Sequence, residues 1–199
     1  MSHCCPPETR RRQWLAHGLM WLLGAGIGTR ASASPSASPS ANAKAKAPTD
    51  AKAQPGRPAA PRAVESFDAS AWQALQREAE RRRQPMLVVF SATWCGVCPE
   101  AIVRLADDRR RQRAQADLVV VVTDLAPGDD DARLLAAPHY ARAQRLLAFD
   151  GSAAALRHAV QPGWSGTSPS VAWLAPGRAP QFMQGAPDER DLQRWFARR

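Results

Sequence analysis

Cysteine is scarce in this 199-residue chain, and its scarcity excludes two kinds of structural site. Of the four cysteines, Cys4 and Cys5 precede an apolar segment near the amino terminus, which leaves Cys95 and Cys98 for the rest of the chain. Two thiols cannot form a four-thiolate zinc site within one chain, nor the several bridges of a disulfide-dense scaffold. The single Cys-x-x-Cys pair therefore needs another explanation.

The sequence also lacks an apolar run of the roughly 20 residues that an ordinary membrane-spanning helix needs. The apolar stretch 14–28 is shorter; it follows the arginines 10–12 and precedes the small residues 31–33 (ASA). This pattern is typical of an export signal, which we predict over 1–33. Residues 11–15 (RRQWL) also resemble a twin-arginine leader. An uncleaved N-terminal anchor is the alternative, and in both cases the remainder is expected outside the cytoplasm.

Large side chains are missing from the next segment. Residues 34–63 contain no aromatic and no large aliphatic residue, and consist mainly of Ala, Pro, Ser and Lys. Such a segment cannot bury enough apolar surface to offset the entropy of ordering it, which predicts a disordered, partly extended linker. Residues 64–199 then form one domain of ordinary size with a single core.

A strong excess of one charge is missing from this domain, although the whole chain carries a formal net charge of +9. Of 27 Lys and Arg residues, nine lie in the two amino-terminal segments, and of 18 acidic residues only Glu8 and Asp50 do, which leaves 18 basic and 16 acidic residues. The domain is therefore near +2, and the charge does not indicate a nucleic-acid partner. The basic clusters 81–83 and 109–111 lie at predicted helix ends, where cations are favoured by the dipole, and are expected to be solvated.

Hydrophobic periodicity predicts the order of elements in the domain. Continuous apolar runs at 86–90 and 117–123 predict strands buried on both faces, and a helix between them predicts a parallel βαβ unit. Phe67 is assigned to the apolar face of a first helix. The prediction begins with a helix at 69–83, followed by the two strands with a helix from 98 to about 112 between them. An α-rich insert after Pro127 then contains a short strand at 146–149 and a helix at 152–158. Strands at 170–174 and 181–184 and a helix at 188–198 complete the domain.

The two cysteines are predicted to lie where the first strand turns into a helix. At the amino end of a helix, unpaired N–H groups and the dipole lower a thiol pKa, and the thiolate is the reactive form. We therefore expect Cys95 to be the nucleophile of a mixed disulfide and Cys98, one turn on and shielded, to be the resolving thiol. Gly96 and Val97 would tune the reduction potential and border the substrate.

Three other interpretations of the pair stay open. A structural disulfide is one, although a bridge across so short a loop restrains the unfolded chain little. A metal site recruiting His139 or His158 is another, although neither histidine has ligand spacing. The pair with a third ligand could also handle copper. We expect neither a cofactor nor a resident metal.

Residues 92–98 (ATWCGVC) resemble the active-site segment of thioredoxin-fold proteins, in particular the exported TlpA-like thiol:disulfide oxidoreductases. The resemblance spans about 64–199 and implies an α/β, thioredoxin-like fold with a central mixed β-sheet flanked by helices and an α-rich insert. Thr167-Ser168-Pro169 resembles the cis-proline loop of that family. In that loop the proline packs beside the cysteines, and the backbone of the preceding residue can pair with a substrate peptide.

Further residues around the pair acquire expected roles. Trp94 would shield Cys95 and offer an apolar surface to partners, or pack in the core, and Trp164 would flank the same surface. Glu100 resembles the acidic residue that TlpA-like proteins carry just after the motif, where it would relay a proton; the alternative is a first-turn glutamate favoured by the helix dipole. Val89 stands where thioredoxin has a buried aspartate.

The combined prediction is an exported, periplasmic thiol:disulfide oxidoreductase, anchored in the inner membrane only if its leader is retained. The expected partners are cysteine-containing exported proteins and a membrane electron donor of the thiol-reducing type, with no nucleic acid. TlpA-like relatives are mostly reductants that often serve cytochrome c or copper-centre maturation, so the resemblance favours a reductase. The alternatives are a copper or other metal chaperone on the same fold, or a redox-inactive binding module.

Overall fold

A computed structural model describes residues 59–197, and the predicted export signal and most of the predicted linker lie outside them. The strands are β1 (Val64–Phe67), β2 (Met86–Ser91), β3 (Asp117–Val122), β4 (Arg145–Phe149), β5 (Ser170–Leu174) and β6 (Gln181–Gln184). The helices are α1 (Ala69–Arg82), α2 (Cys98–Asp107), α3 (Arg109–Arg113), α4 (Asp131–Ala136), α5 (Ala153–Val160) and α6 (Glu189–Phe196), with a 3₁₀ turn at Tyr140–Arg142. Within 59–197, no helix combines the length and the apolar character that a bilayer crossing requires.

The six strands form one mixed sheet in the order β1-β4-β3-β2-β5-β6. The first four strands in this order pair in parallel, whereas β5 is antiparallel to β2 and β6 is antiparallel to β5. A parallel βαβ core extended by an antiparallel hairpin and a closing helix is the thioredoxin-like arrangement. The predicted α/β fold is therefore confirmed, with an insert that contributes α4, the 3₁₀ turn, β4 and α5.

The core lies on both faces of the sheet because β2 and β3 are almost entirely apolar. The exceptions are Ser91 at the end of β2 and Asp117 at the start of β3. Leu87 and Val89 face one cluster with side chains of α2 and α6, and Val88 and Phe90 face another with side chains of α1 and α5. No residue of β2 is more than 2% exposed. Each such buried side chain contributes about 1.5–3 kcal/mol relative to exposure.

The assignment of Phe67 to the first helix is wrong, because residues 64–67 form strand β1. β1 pairs with β4, with Val64 opposite Leu146 and Phe67 opposite Phe149. The helix begins one residue after Asp68, whose carboxylate accepts a hydrogen bond from the Ala71 N–H at 2.7 Å. Asp68 is therefore the N-cap that separates the short strand from α1.

The helix predicted from 98 to about 112 is interrupted at Asp108. α2 ends at Asp107, and Asp108 is the N-cap of α3. Its carboxylate accepts hydrogen bonds from the backbone N–H groups of Arg110 at 2.8 Å and Arg111 at 3.1 Å. The same carboxylate forms an ion pair with the Arg110 guanidinium at 2.6 Å. The chain changes direction here because this side chain replaces the helical hydrogen bonds.

Arg111 is buried, contrary to the expectation of a solvated cluster at 109–111. Its guanidinium donates to the carbonyls of Leu105 at 2.9 Å, Ala106 at 2.7 Å and Ala116 at 2.6 Å. Carbonyls in the last turn of a helix lack helical partners, so Arg111 closes the end of α2. Burial lowers the pKa of this guanidinium from its ordinary value. The cluster 81–83, by contrast, is exposed at the end of α1, as predicted.

Replacing Asp108 by alanine is expected to lower the free energy of unfolding at neutral pH by about 1–2 kcal/mol, the usual effect of losing an N-cap. Burial raises the pKa of Asp108, but the hydrogen bonds from Arg110 and from the Arg111 N–H outweigh it and hold the pKa below its ordinary value of 3.8. The ionised carboxylate therefore stabilises the fold above about pH 4, and this contribution is lost as the pH falls through the lowered pKa.

Asp108→Asn separates the two effects, because asparagine caps a helix without a charge. Urea unfolding at pH 7 should show that Asp108→Asn recovers most of the stability lost in Asp108→Ala. Between pH 5 and pH 3, both variants should lose less stability than the unsubstituted protein. Equal stability of Asp108→Ala and the unsubstituted protein at pH 7 would contradict the capping role.

Candidate redox-active site

Cys95 and Cys98 form a disulfide just beyond the carboxyl end of β2. The S–S distance is 2.07 Å and the two Cα atoms are 5.5 Å apart. Cys95 lies in a turn three positions ahead of α2, and its N–H donates to the Ala92 carbonyl at 3.0 Å. Cys98 is the first residue of α2, and its N–H donates to the Cys95 carbonyl at 3.2 Å. The pair is thus close enough to bridge at the strand-to-helix turn, as predicted.

The two sulfur-bearing residues differ in exposure. Cys95 is 6% exposed and Cys98 is 1% exposed, and both pack in a small cluster with Ala92. Cys95 is therefore the more accessible of the two, although only a small part of it reaches solvent in the disulfide form. An attacking thiol must be the more accessible of the two and a resolving thiol the more buried, and Cys95 and Cys98 differ in this direction.

Apolar side chains surround the disulfide on the outside. Trp94 is 70% exposed and Val97 is 62% exposed, and they are two of the three exposed large hydrophobic residues that 59–197 contain. The alternative that Trp94 packs in the core is therefore wrong. At Gly96, a built Cβ atom would meet no heavy atom within 4 Å, so the backbone between the cysteines is open to approach. Exposed apolar residues grouped in this way favour contact with a partner.

Asp124 holds the start of the cysteine loop, a role that was not predicted from the sequence. The Thr93 N–H donates to both carboxylate oxygens of Asp124 at 3.0 Å, and the Thr93 hydroxyl donates to Oδ2 at 2.6 Å. Asp124 comes two residues after the end of β3, and parallel strands such as β2 and β3 end at the same edge of a sheet. A polar residue just after a buried parallel strand was the available signal.

The Ser168–Pro169 peptide bond is cis, as predicted. Because β5 runs antiparallel to β2, with Ser170 opposite Phe90, Pro169 lies at the edge of the sheet from which the cysteine loop leaves. The Pro169 carbonyl accepts a hydrogen bond from the Gly185 N–H at 2.8 Å, which ties the turn to the end of β6.

Trp164 does not flank the cysteine surface, and that prediction is wrong. It is 6% exposed, and its ring centroid lies 4.7 Å from that of Phe90 and 5.2 Å from that of Phe182. Its indole Nε1–H donates to the Thr167 carbonyl at 3.3 Å. The ring thus packs in the core on the α1 and α5 side of the sheet and supports the proline loop from beneath.

Val89 and Glu100, the two positions considered for a proton-transferring carboxylate, differ in burial. Val89 is fully buried in β2, so this part of the core holds no acid there. Glu100 is exposed in the first turn of α2, and within 59–197 its carboxylate makes no hydrogen bond or ion pair. No described contact joins Glu100 to either sulfur, so a proton-relay role stays a prediction.

The insert forms one side of the site. A cleft of about 90 Å³ separates it from the cysteine loop. The loop side of the cleft is lined by Ala92, Thr93, Cys95 and Pro99, and the insert side by Arg133, Leu134, Ala137, His139 and Tyr140. From the sequence, His139 was expected only as a possible metal ligand, because periodicity does not show which part of an insert folds back toward the motif.

No protein-family model matches the sequence, and no curated protein matches it. One similar solved structure is a secreted Mycobacterium tuberculosis disulfide oxidoreductase homologous to E. coli DsbE, at 14% identity and a TM-score of 0.41, covering 59% of this chain and 84% of that one. Another is the reduced N-terminal domain of PilB from N. meningitidis, at 18% identity and a TM-score of 0.40, covering 58% of this chain and 81% of that one. At these identities and TM-scores, the two similarities give no information about the activity of this protein. The thioredoxin-like assignment follows from the strand order and helix placement.

The Ser168 hydroxyl is buried without a hydrogen-bond partner, the one side-chain oxygen or nitrogen of this kind within 59–197. A buried hydroxyl with no partner costs about 1–3 kcal/mol. It lies one residue before Pro169, beside the cysteine loop. The hydroxyl is closed to solvent, so the expected contact of Ser168 with a substrate, which its backbone would make, stays a prediction.

Replacing Ser168 by alanine is expected to leave the free energy of unfolding unchanged or to raise it by up to about 1 kcal/mol, because an unpaired polar group is removed. Because the expected substrate contact of Ser168 is made by its backbone, the rate of reaction with a disulfide-containing peptide should change by less than about twofold. Ser165→Ala is the matched control, because the Ser165 hydroxyl is already bonded to Thr167 and Gln184, both at 2.9 Å. A loss of stability in Ser168→Ala, measured by urea unfolding, would contradict the assignment of the Ser168 hydroxyl as unpaired.

Proposed function

We propose that this protein is an exported thiol:disulfide oxidoreductase of the TlpA-like type, acting in the periplasm as a reductase. The observation that carries the proposal is the Cys95–Cys98 disulfide at the turn from the central strand β2 into α2, with Cys95 the more exposed residue. A disulfide of three-residue separation adds little to stability by restraining the unfolded chain, which argues for a chemical rather than a structural role.

The reaction begins in the reduced protein with the Cys95 thiolate. The ten-residue helix α2 favours negative charge near its amino end, where Cys95 lies. The thiolate attacks one sulfur of a substrate disulfide, forming a mixed disulfide and releasing a substrate thiolate that takes up a proton. Cys98 then loses its proton and attacks Cys95 Sγ, which forms the Cys95–Cys98 bond and releases the second substrate thiol. Two electrons pass to the substrate.

The substrate surface follows from the exposed groups around the sulfurs. Trp94 and Val97 offer apolar contacts, and Gly96 leaves the backbone between the cysteines open. The Ser168–Pro169 turn lies at the same edge of the sheet, where the backbone of Ser168 would pair with an extended peptide. A peptide segment in extended conformation with a cysteine at its centre is the substrate class that this surface fits best.

Export and the TlpA-like type are supported by sequence features. The arginines 10–12 and the apolar stretch 14–28 support export, and the segment 92–98 with the α-rich insert supports the TlpA-like type. The partners are then cysteine-containing exported proteins as substrates and a thiol-reducing electron donor in the membrane, which returns Cys95 and Cys98 to the dithiol form.

Replacing Cys98 by serine should trap substrate proteins on Cys95, because the mixed disulfide can no longer be resolved by the second thiol. The expected result is a set of adducts that survive alkylation and run separately on non-reducing gels, and that collapse on reduction. Identification of the captured proteins would give the substrates. Cys95→Ser is the matched control and should capture about tenfold less, since Cys98 is 1% exposed.

Three other outcomes would identify other functions. Capture by Cys95→Ser alone would reverse the roles of the two cysteines. Tight binding of Cu(I) by the reduced protein, without reduction of any disulfide, would indicate a copper chaperone. Normal complementation of a deletion strain by the double serine variant would indicate a redox-inactive binding module.

The reductase direction predicts a low reduction potential. The Cys95–Cys98 couple should lie near the about −270 mV of thioredoxin rather than the about −120 mV of a strong periplasmic oxidant. Equilibration of the purified protein with glutathione buffers, followed by alkylation and mass measurement, gives the value. A potential above about −150 mV would be incompatible with a reductase and would leave disulfide exchange itself intact.

A further inference from the structure

The position of His139 is tied to the strand that carries the cysteine loop. His139 lies between α4 and the 3₁₀ turn, and its ring centroid is 4.0 Å from that of Tyr140. Tyr140 is 3% exposed, and its hydroxyl lies 3.4 Å from Oγ of Ser91, the last residue of β2. The imidazole is therefore held beside the end of the strand from which Cys95 emerges, and both residues line the same cleft.

Among the side chains that line this cleft, His139 alone can exchange a proton with a sulfur near neutral pH. The other titratable residues are Cys95 itself, Arg133 and Tyr140. An arginine stays protonated in proteins. Burial raises the pKa of Tyr140 above its ordinary value of 10.0, so its hydroxyl also keeps its proton. An imidazole is the side chain whose ordinary pKa lies in this range.

The surroundings of His139 favour its neutral form in the resting protein. Burial lowers the pKa of His139 from its ordinary value of 6.5. The charged groups nearby are Arg133 on α4, which pairs with Asp130 at 3.4 Å, and Asp124 after β3, which holds Thr93. Burial is the one cause of the lowered pKa of His139, whereas the charges of Asp124 and Arg133 act on the neighbouring Tyr140. A thiolate at Cys95 would be a charge that favours the protonated imidazole.

We propose that His139 is the proton acceptor and donor for the sulfur of Cys95 during exchange, an inference that rests on the proposed function. The Cys95 thiol gives its proton to the imidazole, and the thiolate attacks the substrate disulfide. As the substrate S–S bond breaks, the leaving thiolate takes the proton back from the imidazolium. Cys98 then attacks Cys95 Sγ, the bond from Cys95 to the substrate sulfur breaks, and the second leaving thiolate takes up the proton of Cys98, so two protons and two electrons reach the substrate.

The cleft also allows the transfer to pass through water. Its volume of about 90 Å³ exceeds the roughly 10–15 Å³ that one water molecule requires. No carboxylate lines this cleft, and Glu100 points from α2 without a contact to it. His139 therefore supplies, from the insert, the proton acceptor that Val89 cannot supply from β2.

Titration of His139 and His158 in the unsubstituted protein tests the coupling directly. If an imidazolium and a thiolate share the cleft, each ionisation favours the other, and the effect is reciprocal. The NMR titration of His139 should therefore move to higher pH when the disulfide is reduced. His158 is the internal control, because it is exposed on α5 at the opposite face of the sheet and should titrate alike in both forms. An unchanged His139 titration would overturn the proposal.

Substitution of His139 by glutamine tests the catalytic consequence. The rate of exchange with a small-molecule disulfide at pH 6–7 should fall about tenfold or more, and the thiol of Cys95 should ionise at a higher pH. His158→Gln is the matched control and should match the unsubstituted protein. If the unsubstituted protein exchanges and His139→Gln follows the same pH profile, the His139 role is wrong and the proposed function stands. If the unsubstituted protein never exchanges, the proposed function fails, while the NMR titration still decides the coupling.

Discussion

The burial of β2 on both faces is the constraint on which the site depends. This strand pairs with β3 on one side and β5 on the other, and none of its residues is more than 2% exposed. A shift of register by one residue would move every side chain to the opposite face and disrupt both halves of the core. The point at which the chain leaves the sheet is therefore fixed, and Cys95 always emerges four residues after Ser91. Asp124 and Pro169 reach the same edge through the neighbouring strands.

The parts that sequence reasoning predicted well are those with a local cause. The apolar runs of β2 and β3 have a composition that only a doubly covered strand tolerates. The cap at Ser152, the hairpin of β5 and β6, and the disulfide likewise depend on residues that are close in sequence. The cis bond before Pro169 was expected by resemblance to a motif, and its support by Trp164 was not.

The parts that sequence reasoning missed depend on contacts between distant residues. β1 has four residues, and its only pairing partner in the described chain, β4, lies about 80 residues away, so its apolar residue was read as part of a helix. Arg111 stands in a run of three arginines, and only the carbonyls gathered around it distinguish it from its neighbours. The cleft beside Cys95 was hidden for the same reason, since its two walls come from segments separated by the whole of β3.

The location of β4 makes the insert a structural member of the sheet. β4 lies between β1 and β3, and the described residues give β1 no other strand to pair with. The segment carrying His139 is consequently anchored at both ends, by β3 before it and β4 after it. A deletion or insertion within it would displace the imidazole relative to the sulfur, and excision of the whole insert would leave an edge strand unpaired. The length of this connection is thus under tighter geometric restriction than that of an ordinary surface loop.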